Sequence, residues 1–300
     1  MKALLYVLVV FSSLALGSCT GSKKEAKEDI LVGELKVAVD ESVLPILLEQ
    51  KQVFESSYSN AKIVPQSLPE VAAINNLLAG NSAIAVLTRH LTEEENKDFK
   101  QRSITPRIYE VGYDAIVLIG NVDSQDTSVT IDQVVNLLKG EKSTNFTLVF
   151  DNLNSSILRY FRDMGHLAKV ANTYVEAVNN SEEVLEVVSS NNNKVGLISY
   201  NQYLSLKTSF PNMDKIRILS VLNNSLATPK YVKPSQATLS TDEYPLKRTI
   251  YVLNYQPNLG LGIGFSSFLT GDRGQRILLK SGLLPATMPG REIIIRDRIN

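Results

Sequence analysis

This sequence predicts an α/β protein of two lobes, built on two parallel or mixed sheets with flanking helices and joined by two crossing strands. Three observations predict it. Strand and helix patterns alternate from Leu35 to Glu95. The alternation begins again from Ile131 to Ser199. Two apolar β-type runs, DAIVLI from Asp114 to Ile119 and TIYVL from Thr249 to Leu253, bracket that second series from far apart in the chain. Alternating strands and helices build a parallel sheet with crossover helices. A second such unit inserted into the first makes the two runs its connections, and a cleft between two lobes is a natural ligand site.

The elements follow in chain order. Met1-Lys2 and the apolar run Ala3 to Leu16 give a positive start and a hydrophobic segment, the pattern of a signal peptide over residues 1–18. The run is shorter than the ~20 residues that span a bilayer. Leu16-Gly17-Ser18-Cys19 has the form of a lipobox, cut before a cysteine that takes lipid. Cys19 is the chain's single cysteine, so no disulfide competes for it. Residues 19–33 read as the lipidated cysteine and a flexible tether, because Thr20 to Asp29 (TGSKKEAKED) is charged and has no apolar period.

A first lobe is expected over 34–114 and 248–300, a second over 115–247. Leu35 to Val39 reads as a strand. Asp40-Glu41-Ser42 opens a helix carrying Leu47, Phe54 and Tyr58 at helical spacing, with Pro45 in the first turn, where proline is tolerated. Ala61 to Val64 is extended, Glu70 to Ala79 helical and Ala83 to Leu87 extended. Thr92-Glu93-Glu94-Glu95 caps a third helix. In the second unit, Ile131 to Leu138 is helical and Phe146 to Phe150 extended. Ser155 to Met164 is helical with Ile157, Leu158, Phe161 and Met164 inward, Ser181 to Ser189 helical and Val195 to Ser199 extended. Phe265 to Leu269 and Gln275 to Lys280 are late helical pieces, and Gly282 stands where a terminating glycine belongs. The glycine-rich stretch Gly260-Leu261-Gly262-Ile263-Gly264 reads as a flexible bend.

Composition narrows the function. The chain is 44% hydrophobic and 21% charged, as globular proteins are. Lys+Arg and Asp+Glu are 31 each, so no basic field points to nucleic acid. His90 and His166 have no partners at metal-ligand spacing. Neither a G-x-S-x-G elbow, a Walker loop nor a Cys-x-x-Cys pair occurs. These absences argue against an enzyme, a cofactor and a metal centre.

Several stretches then stand in a telling order. Val39-Asp40-Glu41-Ser42-Val43-Leu44-Pro45 ends a strand in a serine-bearing helix start. Ala83 to Thr92 ends a strand in Thr88-Arg89. Phe150-Asp151-Asn152-Leu153-Asn154-Ser155-Ser156 ends a third in a polar loop. Tyr244-Pro245-Leu246-Lys247-Arg248-Thr249-Ile250-Tyr251 returns the chain, and Phe265 to Gly282 closes it. In this order they resemble the phosphate-binding (PstS-like) receptors of ABC transporters, within the type II periplasmic binding proteins, over roughly Leu35 to Ala286. The departures lie in one loop: Asn154-Ser155-Ser156 lacks the family's glycines, and the arginine that often precedes it is missing.

Three helix starts, at Ser42, at Thr88-Arg89 and at Asn154-Ser155-Ser156, can converge on the cleft. Each offers free N–H groups and a partial positive charge, a ready site for an anion. The hydroxyls of Ser42, Thr88, Ser155 and Ser156 can donate to oxyanion oxygens, and Arg89 can fork onto two of them. Distinguishing phosphate from sulfate takes an acceptor for the P–OH proton, for which Asp40 or Asp151 is the candidate, with Asp114 behind them. The resemblance implies an extracytoplasmic lipoprotein, monomeric and without cofactor. It would capture phosphate or a similar oxyanion between its lobes and deliver it to ABC permease subunits. It would be tethered through Cys19 to a membrane of the cell envelope, facing the periplasm or exterior. The altered loop keeps open a second reading, a ligand-free scaffold or signalling lipoprotein that retains the fold.

Overall fold

The computed structural model describes residues 29–290. The expected signal peptide, Cys19, the tether up to Glu28 and residues 291–300 lie outside the described residues. The strands are β1 (Gly33–Asp40), β2 (Ala61–Leu68), β3 (Ile84–Leu87), β4 (Arg107–Asn121), β5 (Ser128–Val129), β6 (Thr147–Phe150), β7 (Val175–Ala177), β8 (Lys194–Ser199), β9 (Ile216–Ile218), β10 (Ser220–Asn223), β11 (Lys230–Val232), β12 (Lys247–Asn254) and β13 (Leu284–Pro285). The helices are α1 (Leu44–Ser57), α2 (Glu70–Leu78), α3 (Lys97–Gln101), α4 (Ile131–Lys139), α5 (Ser156–Met164), α6 (Ser181–Ser189), α7 (Tyr200–Leu206), α8 (Gln236–Ser240), α9 (Leu261–Thr270) and α10 (Asp272–Lys280).

One strand holds the two halves together. In the first half β1 pairs in parallel with β2 and β3, and β12 runs antiparallel between β3 and β4. In the second half β6 pairs in parallel with β7 and β8, and β8 runs antiparallel to β4. β4 belongs to both. Its residues from Arg107 to Ala115 face β12, and from Ile116 to Gly120 they face β8. The mixed sheet thus curls from one lobe into the other, with helices on its faces. Val37, Ala38 and Val39 of β1 and Val117, Leu118 and Ile119 of β4 are all buried, the continuous apolar run expected of strands covered on both faces.

Local chemistry fixes the helix ends. Asp40 caps a single 3-10 turn, Glu41–Val43, before α1 begins with Pro45 in its first turn. Thr130 and Gln133 cap α4 reciprocally, as do Ser199 and Gln202 at α7. Gly140 follows α4 with φ 86°, a left-handed position that glycine takes without strain. Two expectations need correction. Thr92 and Glu95 do exchange capping bonds, but they close a turn, and the helix beyond them starts only at Lys97. The glycine-rich stretch is no bend: Leu261 to Thr270 is helical. Its glycines serve packing, since a Cβ on Gly264 would lie 1.8 Å from the Ile30 carbonyl oxygen. Among the described residues no helix is long and apolar enough to cross a membrane.

Candidate functional site

The ends of β1 and β6, the middle of β4 and the start of β12 meet where the sheet passes between lobes. Asp114 of β4 and Arg248 of β12 are direct cross-strand partners, so their side chains share a face. Both are buried, and Arg248 Nη2 lies 2.5 Å from Asp114 Oδ2. The other Asp114 oxygen accepts the N–H of Asn201 at 3.0 Å. Arg248 also donates to Ser156 Oγ (3.0 Å) and Ser42 Oγ (3.3 Å), and those two hydroxyls lie 3.3 Å apart. Its Nε–H has no partner. One guanidinium therefore holds a carboxylate from the crossing strand and a hydroxyl from each lobe.

Each hydroxyl sits at a helix start. Ser42 lies in the 3-10 turn, its N–H given to Asp40 Oδ1 at 3.0 Å. Ser156 is the first residue of α5, and Ser155 caps that helix by accepting the Leu158 N–H at 3.3 Å. Thr88, at the end of β3, donates to Asp40 Oδ2 at 3.5 Å. Support comes from α7. Ser199 donates to the Ser42 carbonyl at 2.6 Å, and Asn201 accepts the Ile46 N–H at 3.1 Å.

Carboxylates crowd the other side. Asp151 is buried, its Oδ2 has no hydrogen bond, and burial together with nearby Asp40 pushes its pKa up to about 6, against the pull of the Ser155 hydroxyl. Glu41 is pushed to about 7 by burial, then by Asp151 and Asp40, although the Asn152 side chain donates to it across the cleft. Arg248 answers this charge. Burial lowers its pKa, but Asp114 and Asp40 outweigh burial and hold it charged. The group suits an oxyanion bearing a proton: hydroxyl and guanidinium donors for bare oxygens, and carboxylates for an O–H.

The structure gathers Asp40, Ser42, Thr88, Asp151, Ser155 and Ser156 into this buried group. Two expected members stand apart. Arg89 gives Nη1 and Nη2 to Glu95 at 2.7 and 2.8 Å, Nε to Glu70 at 3.0 Å and a further bond to the His90 carbonyl, so its fork is already satisfied by protein. Asn154 is exposed, with its N–H on Asn152 Oδ1. The arginine in the group is instead Arg248. Its signal was the Tyr244-Pro245-Leu246-Lys247-Arg248 stretch, read only as a returning strand. The supports at Ser199 and Gln202 carried a signal too, the Ser-x-x-Gln pattern of a capping box.

Comparison with known proteins agrees with this geometry. A curated phosphate-binding protein PstS of Borreliella burgdorferi is 24% identical over 95% of this chain and 99% of its own length. One of Staphylococcus aureus is 20% identical over 80% of this chain and 74% of its own. Among solved structures, a phosphate ABC transporter substrate-binding protein from Clostridium perfringens, with bound phosphate, superposes with a TM-score of 0.68. It is 20% identical and covers 85% of this chain and all of its own. An ABC-type phosphate transport receptor from Vibrio cholerae gives 0.63 at 19% identity, over 85% of this chain and all of its own. The model of the PBP superfamily domain matches residues 24–273, and on that match, with a two-lobed fold shared with solved binding proteins, this chain belongs to the PBP superfamily.

Proposed function

We propose that this chain is an extracytoplasmic solute-binding lipoprotein of the PstS type that captures phosphate between its lobes and delivers it to an ABC permease. The lobes are residues 34–114 with 248–300 and residues 115–247, and Cys19 carries the lipid. The reading rests on one observation above the rest: Arg248 reaches Ser42 from one lobe and Ser156 from the other while Asp114 anchors it. A phosphate taken there displaces the Ser42–Ser156 contact and receives a donor from each lobe plus the arginine. That linkage is what makes closure depend on the ligand. The Arg248 guanidinium stands in for the arginine missing ahead of Asn154, which favours a receptor over a ligand-free scaffold. Asp151, with Asp40 beside it, takes the P–OH proton, and a carboxylate there repels sulfate, which has no proton to give.

Isothermal titration of the refolded soluble domain tests this. Phosphate is expected to bind at micromolar Kd or tighter, about −8 kcal/mol, with sulfate much weaker. Arg248→Gln and Ser156→Ala abolish or weaken binding, and Asp151→Asn with Asp40→Asn lets sulfate compete. Absence of heat and of thermal stabilisation with phosphate, sulfate, molybdate and arsenate overturns the reading in favour of a scaffold.

A further inference from the structure

Beside the buried group lies a cavity of about 480 Å³, within the roughly 300–1,000 Å³ typical of sites for small organic ligands. An inorganic phosphate does not need it. Ser155, Leu158, Arg159 and Arg162 form one wall, spaced to share a face of α5. Ser156, next in the chain, turns the other way into the Arg248 group. Glu70 and Val71 of α2 form the facing wall. The cavity carries four cationic side chains (Arg89, Arg159, Arg162, Lys169) against two carboxylates (Glu70, Glu95). Two large apolar side chains stay exposed in it, Val71 at 50% and Leu153 at 64%.

The buried face of the cavity carries an unmet hydrogen-bonding atom. Glu70 is 1% exposed, yet its Oε2 has no partner. Oε1 takes the Arg89 Nε–H at 3.0 Å and lies 2.6 Å from Arg159 Nε, whose own N–H points off that line and finds no acceptor. A buried acceptor without a donor is costly, so a ligand hydroxyl placed there gains more than one placed in water. The charge of Glu70 is also felt at Arg248, which puts the two sites within electrostatic reach of each other.

We propose that the site also accepts small hydroxylated phosphate monoesters of the glycerol phosphate class. The phosphoryl group takes the place of inorganic phosphate at Arg248, Ser42 and Ser156. The carbon skeleton lies in the cavity against Val71 and Leu153, and a hydroxyl donates to Glu70 Oε2. The singly charged ester keeps one P–OH, and that is the form whose proton Asp151 accepts. This inference rests on the phosphate-receptor reading and extends its ligand class.

Competition calorimetry on the full soluble domain tests it, with inorganic phosphate and glycerol 3-phosphate as probes and methyl phosphate as the ester without a hydroxyl. Glycerol 3-phosphate is expected to bind one to one, to exclude phosphate and to bind more tightly than methyl phosphate. Val71→Trp and Ala168→Trp, both at exposed cavity-lining positions, fill the space. Each is expected to weaken glycerol 3-phosphate by about 10- to 100-fold and leave inorganic phosphate unchanged. Phosphate binding with no ester binding overturns this inference and leaves the receptor reading standing. So does ester binding that does not exclude phosphate, or equal weakening of both ligands by the tryptophans. Failure of both ligands to bind overturns the receptor reading and this inference together.

Discussion

Arg248 is enclosed on all sides, and its partners explain what its loss does. Removing one member of a buried ion pair leaves a charge without compensation and costs about 3–5 kcal/mol. Arg248→Gln and Asp114→Asn are each expected to lower unfolding free energy by that order in urea denaturation. The double variant Arg248→Met/Asp114→Leu recovers most of the loss, because the charge is gone with its partner, yet binds no phosphate. Stability and recognition then separate at one pair. Asp151 gives a pH signature. Its folded pKa of about 6 lies above the ordinary aspartate value, so the folded state holds the extra proton and stability falls as pH rises from about 4 to 6. For Asp151 the effect is on the order of 2–3 kcal/mol. Glu41, at about 7, extends the fall toward neutrality. Melting of the ligand-free protein between pH 4.5 and 7.5 should show it, and Asp151→Asn should flatten it; an unchanged slope in that variant refutes the assignment. At this scale the sequence was legible only locally. Ser42 and Ser156 announce themselves by standing at helix starts. Arg248 could not, since it is 206 residues from Ser42 and 92 from Ser156. Arg89 misled because it follows Thr88, while Glu70 lies on α2 and Glu95, six residues on, carries the signal of a helix cap.

At the scale of elements, α2 and α5 face each other across the cleft through Glu70 and Arg159. The pair lies beside the Arg248 group and joins the first half of the chain to the second. Glu70→Gln removes the charge that Arg159 and Arg89 share, and phosphate release followed by stopped flow should quicken by about 10-fold. An unchanged release rate would show that the pair does not act in closure. Helix α9 makes a second case. Alanine at Gly264 improves helix propensity by about 1 kcal/mol, but its Cβ would collide with the Ile30 carbonyl. Crowding of that kind costs about 1–3 kcal/mol, so Gly264→Ala should destabilise the domain and loosen Ile30 and Leu31 to proteolysis. Elements with a strong apolar period, such as α5 and the end of β1, were plain in the sequence. The glycines of α9 were not, because a glycine needed for close packing and one needed for a bend look alike until the neighbour is known. β4 was read over six residues and runs from Arg107 to Asn121. Its first half, RIYEVGY, begins with four residues that are only partly buried or exposed, so no apolar run marks it.

For the whole molecule, the order of strands and helices carried the two-lobed reading, and the curled sheet with its helices agrees with it. The region between Leu206 and Lys247 carried little signal. Its strands β9, β10 and β11 are three or four residues long and pair with distant segments, among them β4 and β5. The partner change along β4 falls between Ala115 and Ile116, one residue from Asp114.

That placement has a mechanical meaning. Asp114 sits on the strand shared by both halves and Arg248 on the strand paired with it, so the anion would be gripped at the fulcrum of the two lobes. A hydroxyl shifting by a bond length near a fulcrum becomes a displacement many times larger at the far rims, in proportion to the arm. A membrane partner touching only those rims would then sense occupancy without approaching the ligand.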